Sequence, residues 1–284
     1  MIIYLLRVLV AAVKARRKAA TTTPAAASAA AARQHTEEED QLAQLQGSLL
    51  EALQAHCCLP AGQLVQPLAG GPDGRLQLFL STAASLEVSL QHVVEFAKRL
   101  PGFLSLPTSL QLILLKANSL QMVLIFDLLL NASSSSPISD LSPSPLVTFL
   151  DGKYLSALQT EALFSRDFVE RYRRLKEHCA LQAHRLGGPL IVALLAAGLL
   201  LSLPSNAADN DHETAAAASM QILTARVAAA TTAVISAADL TAVRWEVVRG
   251  VGEAAREMLD FFKIFQSFCD TRHLPPVFGE VFDF

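Results

Sequence analysis

Seven histidines are dispersed through the 284 residues, and no spacing brings a nucleophile, a base and an orienting group together. The chain has no GxGxxG, P-loop, HExxH or GxSxG pattern and no internal repeat. Cys57, Cys58, Cys179 and Cys269 are too few and too scattered for a disulfide framework, and no CxxC pair is present to hold a structural zinc. A reducing compartment is the natural reading. The pointed residues are instead charges set beside apolar sequence. In "FAKRLPGFLSLPTSLQLILLK", residues 96 to 116, Lys98 and Arg99 close a helix and Pro101-Gly102 breaks it. Lys116 then stands inside an apolar run, where a lysine must snorkel to water or find a partner. In "PPVFGEVFDF", residues 275 to 284, Val277, Phe278, Val281 and Phe282 share an apolar face with Glu280 outside it. The plain alternatives are solvated lysines and a frayed apolar tail, although Pro275-Pro276 suits the start of a docked helix.

The elements that position these groups follow from composition. With 52% hydrophobic residues the chain can bury a sizeable core, and a net charge of -3 gives no bulk attraction to nucleic acid or anionic membranes. Any such contact must be local. Residues 1 to 36 carry six Lys and Arg and no acid, which fits a transit peptide, a nuclear import cluster in "KARRK" or a basic, Ala/Thr-rich disordered arm or hinge. From 37 to 284 the pattern is one helical domain. Thr36 reads as an N-cap before an acidic first turn, and Leu42, Leu45, Leu49, Leu50 and Leu53 share a helix face. A Gly/Pro loop at 67 to 74 precedes a second helix ending near residue 100, with Leu86, Leu90, Val93, Val94 and Ala97 at helical spacing. Residues 108 to 130 are almost continuously apolar and read as a helix buried on most sides. "LVTFLDGKYLS", 146 to 156, reads as a hairpin turning at Asp151-Gly152. Helices follow at 157 to 185, 189 to 203, 212 to 235 and 238 to 268; the run from 189 to 204 is too short to span a bilayer. No membrane partner is expected. The Asn131-Ala132-Ser133 triplet and the Ser-Pro pairs at Ser136, Ser142 and Ser144 are modification signals frequent by chance.

The stretch from Phe96 to Lys116 resembles the signature of the nuclear receptor ligand-binding domain, with Phe96, Ala97, Lys98, Phe103, Leu106, Gln111, Leu114, Leu115 and Lys116 in register. The likeness is to the thyroid hormone, retinoic acid and Rev-erb group. "VTFLDGK" resembles the hairpin of those receptors, "LGGPLIVALLAAGLLL" their eighth helix and "LPPVFGEVFDF" the terminal activation helix. It covers about residues 37 to 284, and the order and spacing of the blocks make it more specific than any one of them.

The resemblance implies an all-α fold, a three-layer antiparallel helical sandwich with one small β-hairpin. It implies a ligand- or conformation-regulated transcription factor domain in the nucleus, with the cytoplasm as the alternative. Its partners would be leucine-rich coactivator or corepressor helices, whose free N-H and C=O groups persist after their leucines enter an apolar groove. Lys98 would meet the partner's C-terminal carbonyls, Glu280 its N-terminal amides, and Gln111 and Lys116 would line the groove between. Val277, Phe278, Val281 and Phe282 would complete it. Ser85, Ser89, Met122 and Phe126 fall in the ligand pocket's register, and each is equally ordinary core. Arg244, Trp245, Arg249 and Arg256 lie on the helix through which such receptors dimerise, implying a retinoid X receptor-type partner, with core packing as the alternative.

Several positions depart from the family. Leu110 replaces the usual acid before the glutamine, Phe126 stands where retinoic acid receptors place a ligand-pairing arginine, and Met258 where thyroid hormone receptors place a histidine. A buried carboxylate without a partner is costly, so the expected ligand is an apolar or weakly polar small molecule, or none, and no other cofactor. Residues 1 to 36 contain no cysteine for the zinc modules that read DNA. No direct DNA binding by this chain is expected, as for a fragment of a longer receptor or a receptor-like protein acting through protein contacts. The alternative class is a DNA-binding-deficient helical carrier or scaffold that has lost the switch. An enzyme is the weakest option.

Overall fold

The computed structural model describes residues 25–57, 62–65, 72–130, 145–186, 188–202, 214–235 and 237–266. Eight α-helices and three short strands occur among them, which makes the fold all-α with a small β element. The order is α1 (Ala25–His56), β1 (Gln63–Leu64), α2 (Pro72–Arg99), a 3-10 turn (Phe103–Ser105), α3 (Thr108–Leu130), β2 (Pro145–Thr148) and β3 (Lys153–Ser156). There follow α4 (Ala157–Leu163), α5 (Arg166–Leu186), α6 (Pro189–Leu200), α7 (Thr214–Val234) and α8 (Ala237–Gln266).

α3 is the centre of the packing. It touches α2, α5, α6, α8 and β2, and from Asn118 to Leu129 every residue except Gln121 is buried. Burial of each large apolar side chain there stabilises the fold by roughly 1.5–3 kcal/mol. It is long and apolar enough to cross a membrane, but 67% of its apolar window is buried inside the protein, as a core helix requires. α5 is amphipathic by contrast: Phe168, Val169, Tyr172 and Cys179 point inward at helical spacing, and its remaining faces carry charge.

Three local expectations are corrected. α1 begins at Ala25, and Thr36 lies inside it; alanine's high helix propensity carries the helix back through 25 to 32, ahead of the acidic turn. The helix expected from 157 to 185 is two helices. Ser156 and Gln159 form a capping box that starts α4, and Ser165 Oγ accepts the Phe168 amide at 3.0 Å at the start of α5. The hairpin gains a third strand, with β1 parallel to β3 through Gln63 N-H to Gly152 O and Val65 N-H to Tyr154 O, both 2.9 Å. Gln159 ties this strand down by donating from Nε2 to Val65 O at 2.7 Å. A two-residue strand has no sequence signal of its own.

An aromatic cluster joins the end of α8 to α2 and the α4–α5 junction. Phe265 stacks on Phe79 at 4.3 Å between centroids, Phe261 meets Phe164 edge-on at 4.8 Å, and the Arg75 guanidinium stands over the Phe265 ring.

Candidate functional site

The break between α2 and α3 depends on Gly102, whose φ of 94° is strained for any residue with a side chain. The turn it opens is pinned from inside by Phe103 and Leu106, both buried, while Leu104 is 62% exposed. Gln111, on the first turns of α3, reaches back and donates from Nε2 to Leu106 O at 2.7 Å and Leu104 O at 3.4 Å. It fixes the loop's backbone from the side it was expected to line. On the next position of α3, Leu112 is 52% exposed.

Lys98 stands at the C-terminal end of α2 with its ammonium in solvent and 2.6 Å from Glu95 Oε1. Hydrogen bonding to Lys98 holds the Glu95 carboxyl below the usual carboxylate range. Such an exposed i,i+3 pair contributes about 0.2–1 kcal/mol, small enough for a partner's carbonyl groups to compete. Lys116 is half-buried further along α3. Val277, Phe278, Glu280, Val281 and Phe282 lie outside the described residues.

The four residues in the ligand register are fully buried. Ser89 donates to Ser85 O at 2.9 Å and accepts the Leu150 amide at 2.9 Å, so its hydroxyl joins α2 to the β2–β3 turn. Phe126 packs edge-on against Phe96 at 5.5 Å, and Met122 lies in the same core. Ser85 Oγ is buried and has no hydrogen-bond partner among the described residues.

A cavity of about 490 Å³ opens on the other flank of α3, between it, α6, α7 and α8. None of Ser85, Ser89, Met122 and Phe126 lines it, whereas Lys116, Arg249 and Arg256 do. Arg249 and Arg256 are exposed on α8; the side chains of Arg244 and Trp245 lie outside the described residues.

Two polar groups escaped the sequence reading, and both interrupt the apolar run of α3. Asn118 Nδ2 donates to Leu200 O at 3.1 Å and Ser202 O at 2.8 Å, capping the C-terminus of α6. Asp127, fully buried, accepts from Tyr172 Oη at 2.7 Å and lies 3.4 Å from Lys176 Nζ, which also donates to Leu146 O at 2.8 Å. Burial, then the Asp127 charge, raises the Tyr172 phenol well above its ordinary pKa and pushes the Cys179 thiol up to about 12. A carboxylate and an amide inside an apolar helix were the available signal. Beside the hairpin, His56 and His92 face each other at 6.4 Å between ring centroids. Burial and His56 lower the His92 pKa, with Asp151 opposing them.

No family model matches the chain. The chain is 27% identical over 215 residues to Ecdysone-induced protein 78C of Drosophila melanogaster, a nuclear receptor. The aligned part covers 74% of this chain and 23% of that protein, so the chain spans about a quarter of the relative's length. The chain is thus all-α and distantly similar to part of a nuclear receptor.

Proposed function

We propose that this chain recruits transcriptional coregulators by holding their leucine-rich helices on the surface where α2 turns into α3. The observation that carries the reading is the setting of Lys98: a solvent-facing ammonium at a helix end, next in sequence to a rigid turn with Leu104 exposed beyond it. Leucines of an amphipathic helix would bury against such apolar surface, and Lys98 would exchange Glu95 for the helix's terminal carbonyls. Glu280 on the last segment would hold the opposite end. The chain would act in the nucleus, without catalysis, and as a relative of the thyroid hormone, retinoic acid and Rev-erb group. α8 would contact a retinoid X receptor-type partner.

A second reading, a helical scaffold without a ligand switch, is favoured by one observation. Phe126 is packed against Phe96 and the Ser89 hydroxyl is engaged on both sides, so the register that would hold an apolar hormone is occupied by the protein's own contacts. Anisotropy of a labelled leucine-rich coactivator peptide separates the two. Binding lost in both Lys98→Ala and Glu280→Ala supports coregulator recruitment. No binding by the unsubstituted chain, with a partner receptor and a lipid extract added, leaves the scaffold.

A further inference from the structure

The cavity flanking α3 combines two surfaces that an ordinary core does not. Its walls include Leu120, Leu194, Val227 and Leu259, and its volume of about 490 Å³ lies within the range of small-molecule sites. The same cavity is lined by Arg249 and Arg256 against the carboxylate of Glu253, an excess of one cation in a chain whose net charge is -3, while Lys116, which also lines it, is engaged in an interaction of its own. Glu253 lies 3.8 Å from Arg249, a long and exposed contact, and Arg256 forms no ion pair among the described residues. The nearby side-chain donors are engaged: Thr224 bonds Met220 O at 2.8 Å, Thr231 bonds Val227 O at 2.7 Å, and Asn118 caps α6. The binding potential left facing the cavity is therefore apolar wall and the Arg256 guanidinium, with Arg249 held only by the long contact to Glu253.

We propose that this cavity binds a small amphipathic anion, a carboxylate on an aliphatic body, with the chain along the leucines and the carboxylate at Arg256 and Arg249. Arginine suits this task because its planar fork pairs a carboxylate through two parallel hydrogen bonds. The site is separate from Ser85, Ser89, Met122 and Phe126 and does not depend on coregulator recruitment.

Isothermal titration calorimetry of the full chain with decanoate, with decanol and acetate as controls, tests it. Decanoate should bind saturably and more tightly than either control. Arg256→Gln should weaken decanoate by about fivefold and leave decanol unchanged. Gly252→Leu should abolish both long-chain interactions: a Cβ at Gly252 meets only Gln121 Oε1 at 3.8 Å, so the helix accepts it and the added branches enter the cavity. Circular dichroism confirms that both variants fold. Absence of saturable decanoate binding overturns the proposal. So does an equal effect of Arg256→Gln on decanoate and decanol, or decanoate binding that survives Gly252→Leu.

Discussion

The two flanks of α3 are built on different rules. Towards α2 and the hairpin, Phe126 meets Phe96, Ser89 uses its hydroxyl twice, and the buried Asp127 carboxylate is matched by Tyr172 and Lys176. Towards α6, α7 and α8 the helix leaves a cavity rimmed by cations. The contrast teaches that the register of a pocket and the presence of one are separate properties: the first follows from helix spacing, the second from which side chains fill the space.

The strongest way to break the comparison is to hollow the filled flank. Phe126→Ala should cost about 3–5 kcal/mol, read as a lower urea midpoint, because the ring's partners cannot close the gap. A cost below about 1 kcal/mol would mean that flank is already loose. Asp127→Ala should lower the same midpoint by about 3 kcal/mol, since it strands the Tyr172 hydroxyl and leaves Lys176 with Leu146 O alone among the partners described here. Ser89→Ala should cost about 1–2 kcal/mol, the Leu150 amide losing its acceptor while staying buried.

His92 sharpens the comparison at the filled flank's margin. Its pKa in the fold lies below 6.5, so the unfolded chain binds the proton more readily. Stability from this group is complete above about pH 6.5 and declines as pH falls through the folded value. Unfolding midpoints measured at about pH 7.5 and about pH 5.5 should differ less in His92→Asn than in the unsubstituted chain. The smallest effect on stability belongs to the surface: Glu95→Gln should change it by less than about 0.5 kcal/mol while tightening coactivator-peptide binding about twofold, because Lys98 then has no carboxylate to leave.

Helix spacing made most of the architecture legible. The run from Thr108 to Leu130 and the turn at Asp151-Gly152 both appear where their patterns place them, and so does the Pro101-Gly102 break. What sequence could not supply was long-range pairing. β1 exists because Gln159 and Gly152 offer it partners about 90 residues away in the chain, and α1 reaches back to Ala25 because alanine continues a helix without needing tertiary contacts. For the candidate site, Lys98 lies exposed at its helix end as expected, but its pairing with Glu95 and the bonds from Gln111 to the loop are matters of rotamer and backbone. Arg249 and Arg256 read as dimer contacts in the sequence; that they also line a cavity was not legible, because periodicity gives a helix face without naming what lies opposite it.

Coregulator docking is the central claim, and backbone-amide NMR of the chain titrated with a leucine-rich helical peptide tests it most directly. The account predicts shifts concentrated from Val94 to Lys116, strongest near Lys98, Leu104 and Leu112, and absent in Lys98→Ala. Shifts confined to α8, or none at saturating peptide, would contradict it.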